Sequence, residues 1–117
     1  MIINKIEDID IDQLNKDLLD GVEEYIDVSK ANNTRKAYDR DWKSFIKFCK
    51  YTKSQYLPAD YPTVSKYLVY CAKIQKLKVS TIERRLASIM FKHRESLHSI
   101  DRKHKLIKNV VEGIKRN

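Results

Sequence analysis

Apolar residues recur every three or four positions along most of this chain, and that recurrence predicts helices. Ile11, Leu14, Leu18, Val22, Tyr25 and Ile26 mark one face of a first helix from about Ile11 to Lys30. Gly21 weakens it by up to about 1 kcal/mol relative to Ala. A second stripe runs from Asn32 to Tyr51: Tyr38, Trp42, Phe45 and Cys49, with Ile46 beside them. Asn32 or Asn33 is placed to accept from free N–H groups at its start, as an N-cap does. Tyr51 to Ala59 reads as a connection, extended at Leu57-Pro58. A third helix begins near Pro62, a good first-turn residue, and turns Val64, Tyr67, Leu68, Cys71 and Ala72 inward. The stretch KIQKLKV breaks the pattern and reads as a loop. Ser80 with Glu83 three residues on forms a capping box that opens a fourth helix. Ile82, Leu86, Ile89, Met90, His93 and Leu97 face inward on it. The last helix, about Lys103 to Lys115, carries Ile107, Val110, Val111 and Ile114. With only two glycines and two prolines there is little turn chemistry for hairpins, so the expected fold is an all-α bundle of four to five helices.

Charge adds what hydrophobicity does not. Residues 1–28 hold two cations against nine acids, a net of −7, and residues 29–117 hold 22 cations against seven acids, a net of +15. The split predicts an acidic leader with the first helix over residues 1–30 and a basic domain over 31–117, and a basic domain favours a polyanionic partner. Much of that charge is patterned. Lys36, Arg40, Lys43 and Lys47 repeat at helical spacing about 200° away from the aromatic stripe and span about 16 Å. Thr81, Arg84, Arg85, Ser88 and Lys92 form a second polar stripe on the fourth helix, whose first turn offers N–H groups suited to phosphate. An α-helix fits the major groove of B-DNA, and Arg and Lys serve both phosphates and guanine edges. Pattern alone leaves solvated helix faces, a freestanding DNA-binding protein and a module for an acidic protein as alternatives.

Catalytic readings find less. His93, His98 and His104 are spaced by five and six residues, neither of which is the i, i+4 pair that sets two imidazoles on one helix face for a metal. There is no Gly-rich phosphate loop, and Asp39 and Asp41 diverge on a helix. The seven tyrosines read as amphipathic packing. No metal, cofactor or small-molecule ligand is expected. Cys49 and Cys71 form no CxxC pair and read as buried, reduced thiols. The leading MIINKIEDID has neither a basic n-region nor an apolar h-region, and apolar runs are a few residues long, so an intracellular, cytoplasmic protein is expected.

The motif T-x-x-x-Y-x-x-x-W-x-x-F-x-x-F-C, at Thr34, Tyr38, Trp42, Phe45, Phe48 and Cys49, resembles the second helix of the core-binding domain of tyrosine recombinases. That family includes the phage integrases, the Xer proteins and Cre. LPADYPTVSKYLVYCA, VSTIERRLASIMFKHRES and VVEGIKR follow in the family's order, so the resemblance covers about Ser29 to Arg116. It implies a domain of four to five helices, half of a clamp on duplex DNA, with the second and fourth helices against the major groove. The family's contacts would fall on Thr34, Arg35 and Lys36, and on Ser80, Thr81, Arg84 and Ser88. Stripe geometry adds Arg40, Lys43 and Arg85. Double-stranded DNA and other recombinase protomers are the implied partners, with nucleoid association when DNA is bound. The family's catalytic domain has no counterpart here, so the chain alone is expected not to be an enzyme, and to be one part of a longer recombinase. About thirty residues precede the match, too few for a separate arm-site-binding domain. The glycine that usually stands before the STI element is absent, with Lys78-Val79 in its place, as is the Gly/Pro turn after the fourth helix. Loop shapes there are expected to differ.

Overall fold

Residues 10–117 are described by the computed structural model; the first nine residues of the acidic leader lie outside that range. The chain forms α1 (Ile11–Thr52), α2 (Tyr61–Val69), a π-helical segment (Tyr70–Ile74), α3 (Val79–Glu95) and α4 (Lys105–Arg116), with no strand among the described residues. It divides into two units, Met1–Arg35 and Lys36–Asn117.

The expected break between a first and a second helix does not occur. Ile11–Lys30 and Asn32–Tyr51 are parts of one 42-residue helix, α1. Between Val22 and Thr52 there is no glycine or proline, and Asn inside a helix costs only about 0.7 kcal/mol relative to Ala. Asn32 and Asn33 are therefore interior residues, not caps. The cap is Asp10, whose Oδ1 accepts from the amides of Asp12 (3.0 Å) and Gln13 (3.3 Å). Within the N-terminal unit the predicted apolar stripe is exposed: Leu18, Val22, Tyr25 and Ile26 all face outward, Tyr25 at 78 %. Among the described residues that unit is helix alone, so its apolar face has no second element to cover it.

The C-terminal unit has a contiguous core. Phe45 and Cys49 of α1, Val64, Tyr67 and Leu68 of α2, Cys71 of the π segment, Ile82, Leu86 and Ile89 of α3, and Ile107 and Val111 of α4 are buried together. Each large side chain removed from water contributes about 1.5–3 kcal/mol. Phe45 and Phe48 both meet Tyr67, with ring centroids 5.1 Å apart. Both cysteines are free and buried, and burial, aided by the Asp60 carboxylate, pushes the Cys49 thiol up to about 11. An unreactive thiol follows.

Pro62 does lie in the first turn of α2, and Asp60 is the cap, accepting from Thr63 N at 2.8 Å. The stretch read as a loop is partly helical: Lys73 and Ile74 close the π segment, and Gln75–Lys78 connect it to α3. The capping box is absent. Helix α3 starts at Val79 with Lys78 as N-cap and no side-chain cap bond, so Ser80 is already helical. Glu83 instead accepts from Arg102 at 2.6 Å and pairs with Lys115 at 3.2 Å, and these bonds, Arg102 first, hold its carboxyl below the usual range. Two cations outcompete one backbone amide.

Lys78, which stands where the glycine before the STI element is usual, has φ of −66°, so no left-handed residue is needed there. Left-handed backbone is instead taken by non-glycine residues elsewhere. Lys53, Lys76 and Leu97 have φ of 58°, 52° and 62°. At the end of α3, His98 N bonds His93 O (2.8 Å) and Leu97 N bonds Arg94 O (3.1 Å), the paired closure that usually recruits glycine. Spacing turns Leu97 inward, but it lies past the helix end and is 95 % exposed. His104 caps α4, its Nδ1 accepting from Leu106 N at 3.2 Å, and its ring stacks on Tyr61 with centroids 3.7 Å apart.

Candidate nucleic-acid interface

The cationic residues of interest sit where α3 crosses α1. Four contacts define the crossing: Tyr38 on Phe91 (5.5 Å between centroids), Trp42 edge-on to His93 (5.8 Å), and two ion pairs. Lys92 Nζ donates to Asp39 Oδ1 at 2.6 Å. Arg84 grips Asp41 with two bonds, Nε to Oδ2 at 2.7 Å and Nη2 to Oδ1 at 3.0 Å. The two acids read as merely divergent thus each tie α1 to α3. The signal was present: Asp41 stands three residues after Tyr38 and four before Phe45, inside the apolar stripe, where a lone carboxylate would be costly without a partner.

Beneath the crossing, His93 is fully buried. Its Nε2 accepts from Ala59 N at 2.9 Å, so Nδ1 carries the proton and donates to Ile89 O at 2.7 Å. The core-histidine reading of the sequence is what the structure has. Burial pushes its pKa down, since the imidazolium would be desolvated there.

The predicted contact residues separate into three groups. Lys36, Arg40 and Lys43 are exposed on α1, Ser80 and Arg84 are exposed on α3, and Thr81 is half-buried beside them. Thr34 and Arg35 are also exposed, but they belong to the N-terminal unit. Arg85 and Ser88 are turned inward. Arg85 Nη1 donates to Tyr67 Oη at 3.1 Å and to Gln75 Oε1 at 3.0 Å, bracing α3 against α2 and the segment after it. Ser88 is fully buried and its hydroxyl donates to Arg85 O at 2.7 Å. Spacing puts both on the polar stripe, because spacing alone takes a polar side chain to be an outward one. Ser88 lies two positions past Leu86 and one before Ile89, well inside the buried arc.

The exposed set suits a polyanion. The C-terminal unit carries 20 cations against seven acids, a net of +13. No side chain caps the first turn of α3, which leaves its amides beside the Ser80 and Thr81 hydroxyls as an anion-facing end. Among the described residues no three His, Cys, Asp or Glu side chains are grouped to hold a metal, and no helix is long and apolar enough to cross a membrane.

Parts of the chain match known proteins. The description of the phage integrase N-terminal SAM-like domain matches residues 19–100. An integrase/recombinase xerD homolog from Selenomonas ruminantium is 37 % identical over 68 residues. That segment is 58 % of this chain and 19 % of the relative, so the chain matches about a fifth of the relative's length.

Proposed function

The chain belongs to the phage integrase N-terminal SAM-like domain family, and from that premise we propose that it is the DNA-gripping, non-catalytic domain of a site-specific tyrosine recombinase. In this reading α1 and α3 lie against the major groove of a recombination half-site. Lys36, Arg40 and Lys43 take phosphates from α1, and Ser80, Thr81 and Arg84 take phosphates or base edges from α3. The observation that carries the reading is the crossing itself: the two helices that bear exposed cations are tied to each other by the Asp41–Arg84 and Asp39–Lys92 bridges. Arg85 and Ser88 have no place in the interface, because both are committed to the fold.

The partners are double-stranded DNA and other recombinase protomers. Support for the second comes from charge and exposure together. The leader is acidic, would be repelled by phosphates, and exposes Leu18, Val22 and Tyr25. A basic neighbouring protomer offers what that face lacks. Binding DNA in this way places the protein in the cytoplasm and, when bound, with the nucleoid.

Titration of a labelled duplex by Lys36→Ala and Arg84→Ala at fixed salt tests the docking. Both variants bind more weakly than wild type at a temperature where both are folded by circular dichroism. Lys36→Ala melts like wild type, whereas Arg84→Ala leaves the buried Asp41 carboxylate without its partner and melts lower. If Arg84 reads a guanine, its loss costs about 1–3 kcal/mol and relaxes preference at one base; a phosphate contact weakens all sequences alike. Affinity equal to wild type in both variants refutes the two-helix interface.

A further inference from the structure

Asp41 is 3 % exposed, whereas the Arg84 side chain it holds is 42 % exposed. The pair is thus asymmetric, with its anion inside and its cation at the surface. Asp39 and Lys92 have the opposite polarity, with the acid at 51 % and the lysine at 22 %. The second pair shields its cation; the first displays it.

We propose that Asp41 is a positioning residue for DNA recognition: its buried carboxylate holds the Nε–Nη2 edge of Arg84 so that the remaining guanidinium protons are aimed outward at the nucleic acid. This rests on the reading of the α1–α3 face as the DNA interface and deepens it. A guanidinium has five N–H donors in a rigid plane. Asp41 takes two, one from Nε and one from Nη2. Three remain, both on Nη1 and one on Nη2. Those are the fork that matches a phosphate or the O6/N7 edge of guanine.

Fold stability does not call for a carboxylate here. Position 41 lies in the apolar stripe, and replacing a buried ion pair by packed hydrophobic groups is often neutral or stabilising. Asp is also a poor residue for a helix interior. A carboxylate earns its position by what it does to Arg84. A free arginine must surrender its rotamer freedom on binding, but this one is already fixed, and preorganisation of that kind converts directly into affinity.

A double-mutant cycle tests it, with Asp41→Asn, Arg84→Ala and the combined variant titrated against a mixed-sequence duplex. The full chain is used at fixed salt and well below the unfolding temperature. Asp41→Asn keeps the shape, removes the charge and sets an amide N–H against the guanidinium. The expected result is a loss of about tenfold in affinity from Asp41→Asn alone and no further loss from it in the Arg84→Ala background. In the unbound protein the Arg84 Nε–H gives a resolved, slowly exchanging NMR signal that Asp41→Asn abolishes. If Asp41→Asn does not fold, Arg84→Lys takes its place: a lysine cannot keep one edge on Asp41 and present a fork, so its affinity approaches that of Arg84→Ala. Equal affinity of Asp41→Asn and wild type, losses that add in the combined variant, or full affinity in Arg84→Lys overturns the positioning role. A wild-type chain that leaves the duplex unbound overturns the DNA reading first and the positioning role with it.

Discussion

Replacing His93 probes a fully buried polar group beneath the crossing. Truncation by His93→Ala leaves the Ala59 N–H without its acceptor inside the fold, at a cost of about 1–3 kcal/mol. It also empties the space beside Trp42, and large-to-small core changes add at least about 2 kcal/mol. Together these give about 3–5 kcal/mol, a large fraction of the 5–15 kcal/mol or so that holds a domain together. At about 4–8 °C per kcal/mol for a domain this size, the unfolding midpoint falls by at least about 12 °C. His93→Phe separates the two contributions: the ring volume stays, so only the hydrogen-bond share of about 1–3 kcal/mol is lost. Acidity supplies the second readout. Burial lowers the folded-state pKa of His93 from its ordinary 6.5, so below that pH the unfolded chain takes up a proton that the folded chain refuses. Stability contributed by the neutral ring is full above about 6.5 and is lost as pH falls from there toward the lower folded value. Thermal melts by far-ultraviolet circular dichroism at about pH 7.5 and 5.5 read both effects, and the wild type loses more on acidification than either variant. A His93→Phe protein as stable as wild type, or one with the same loss between the two pH values, refutes the reasoning.

Two further outcomes follow from the backbone and from the leader. Leu97→Gly relieves an L-residue held at φ 62° and gives up no buried surface, so it stabilises the domain by up to about 1 kcal/mol in denaturant titration; a lower midpoint contradicts the assignment. Deleting residues 1–28 leaves binding to a single half-site intact and abolishes cooperative filling of paired half-sites, measured by gel shift. Unchanged cooperativity refutes a protomer contact through the acidic face.

Much of this fold was legible because its core obeys a 3.6-residue period. Phe45 and Cys49, Val64, Tyr67, Leu68 and Cys71, Ile82, Leu86 and Ile89, and Ile107 and Val111 are buried where the spacing puts them. Boundaries were less legible, for physical reasons. Asn32 and Asn33 serve as caps or as interior residues at similar cost, and only the continuity of α1 decides between them. Ser80 and Glu83 have the spacing of a capping box, but Arg102 and Lys115, about twenty to thirty residues downstream, claim the glutamate. Polar side chains on α3 were the hardest to place. Arg84 and Arg85 are neighbours in sequence, yet one reaches outward from Asp41 and the other inward to Tyr67. Local spacing carries no information about a tyrosine hydroxyl on another helix. The exposed stripe of the N-terminal unit shows the converse: periodicity predicts that a face is apolar, not what will cover it.

The central claim is that the α1–α3 face grips duplex DNA, and the salt dependence of that binding tests it most directly. If Lys36, Arg40, Lys43 and Arg84 each neutralise one phosphate, the log–log slope of affinity against salt is about −3.6, from about 0.9 per phosphate. Anisotropy titrations of a labelled duplex between about 50 and 200 mM salt should then show affinity falling by roughly a hundredfold. Affinity that stays flat across that range contradicts the account.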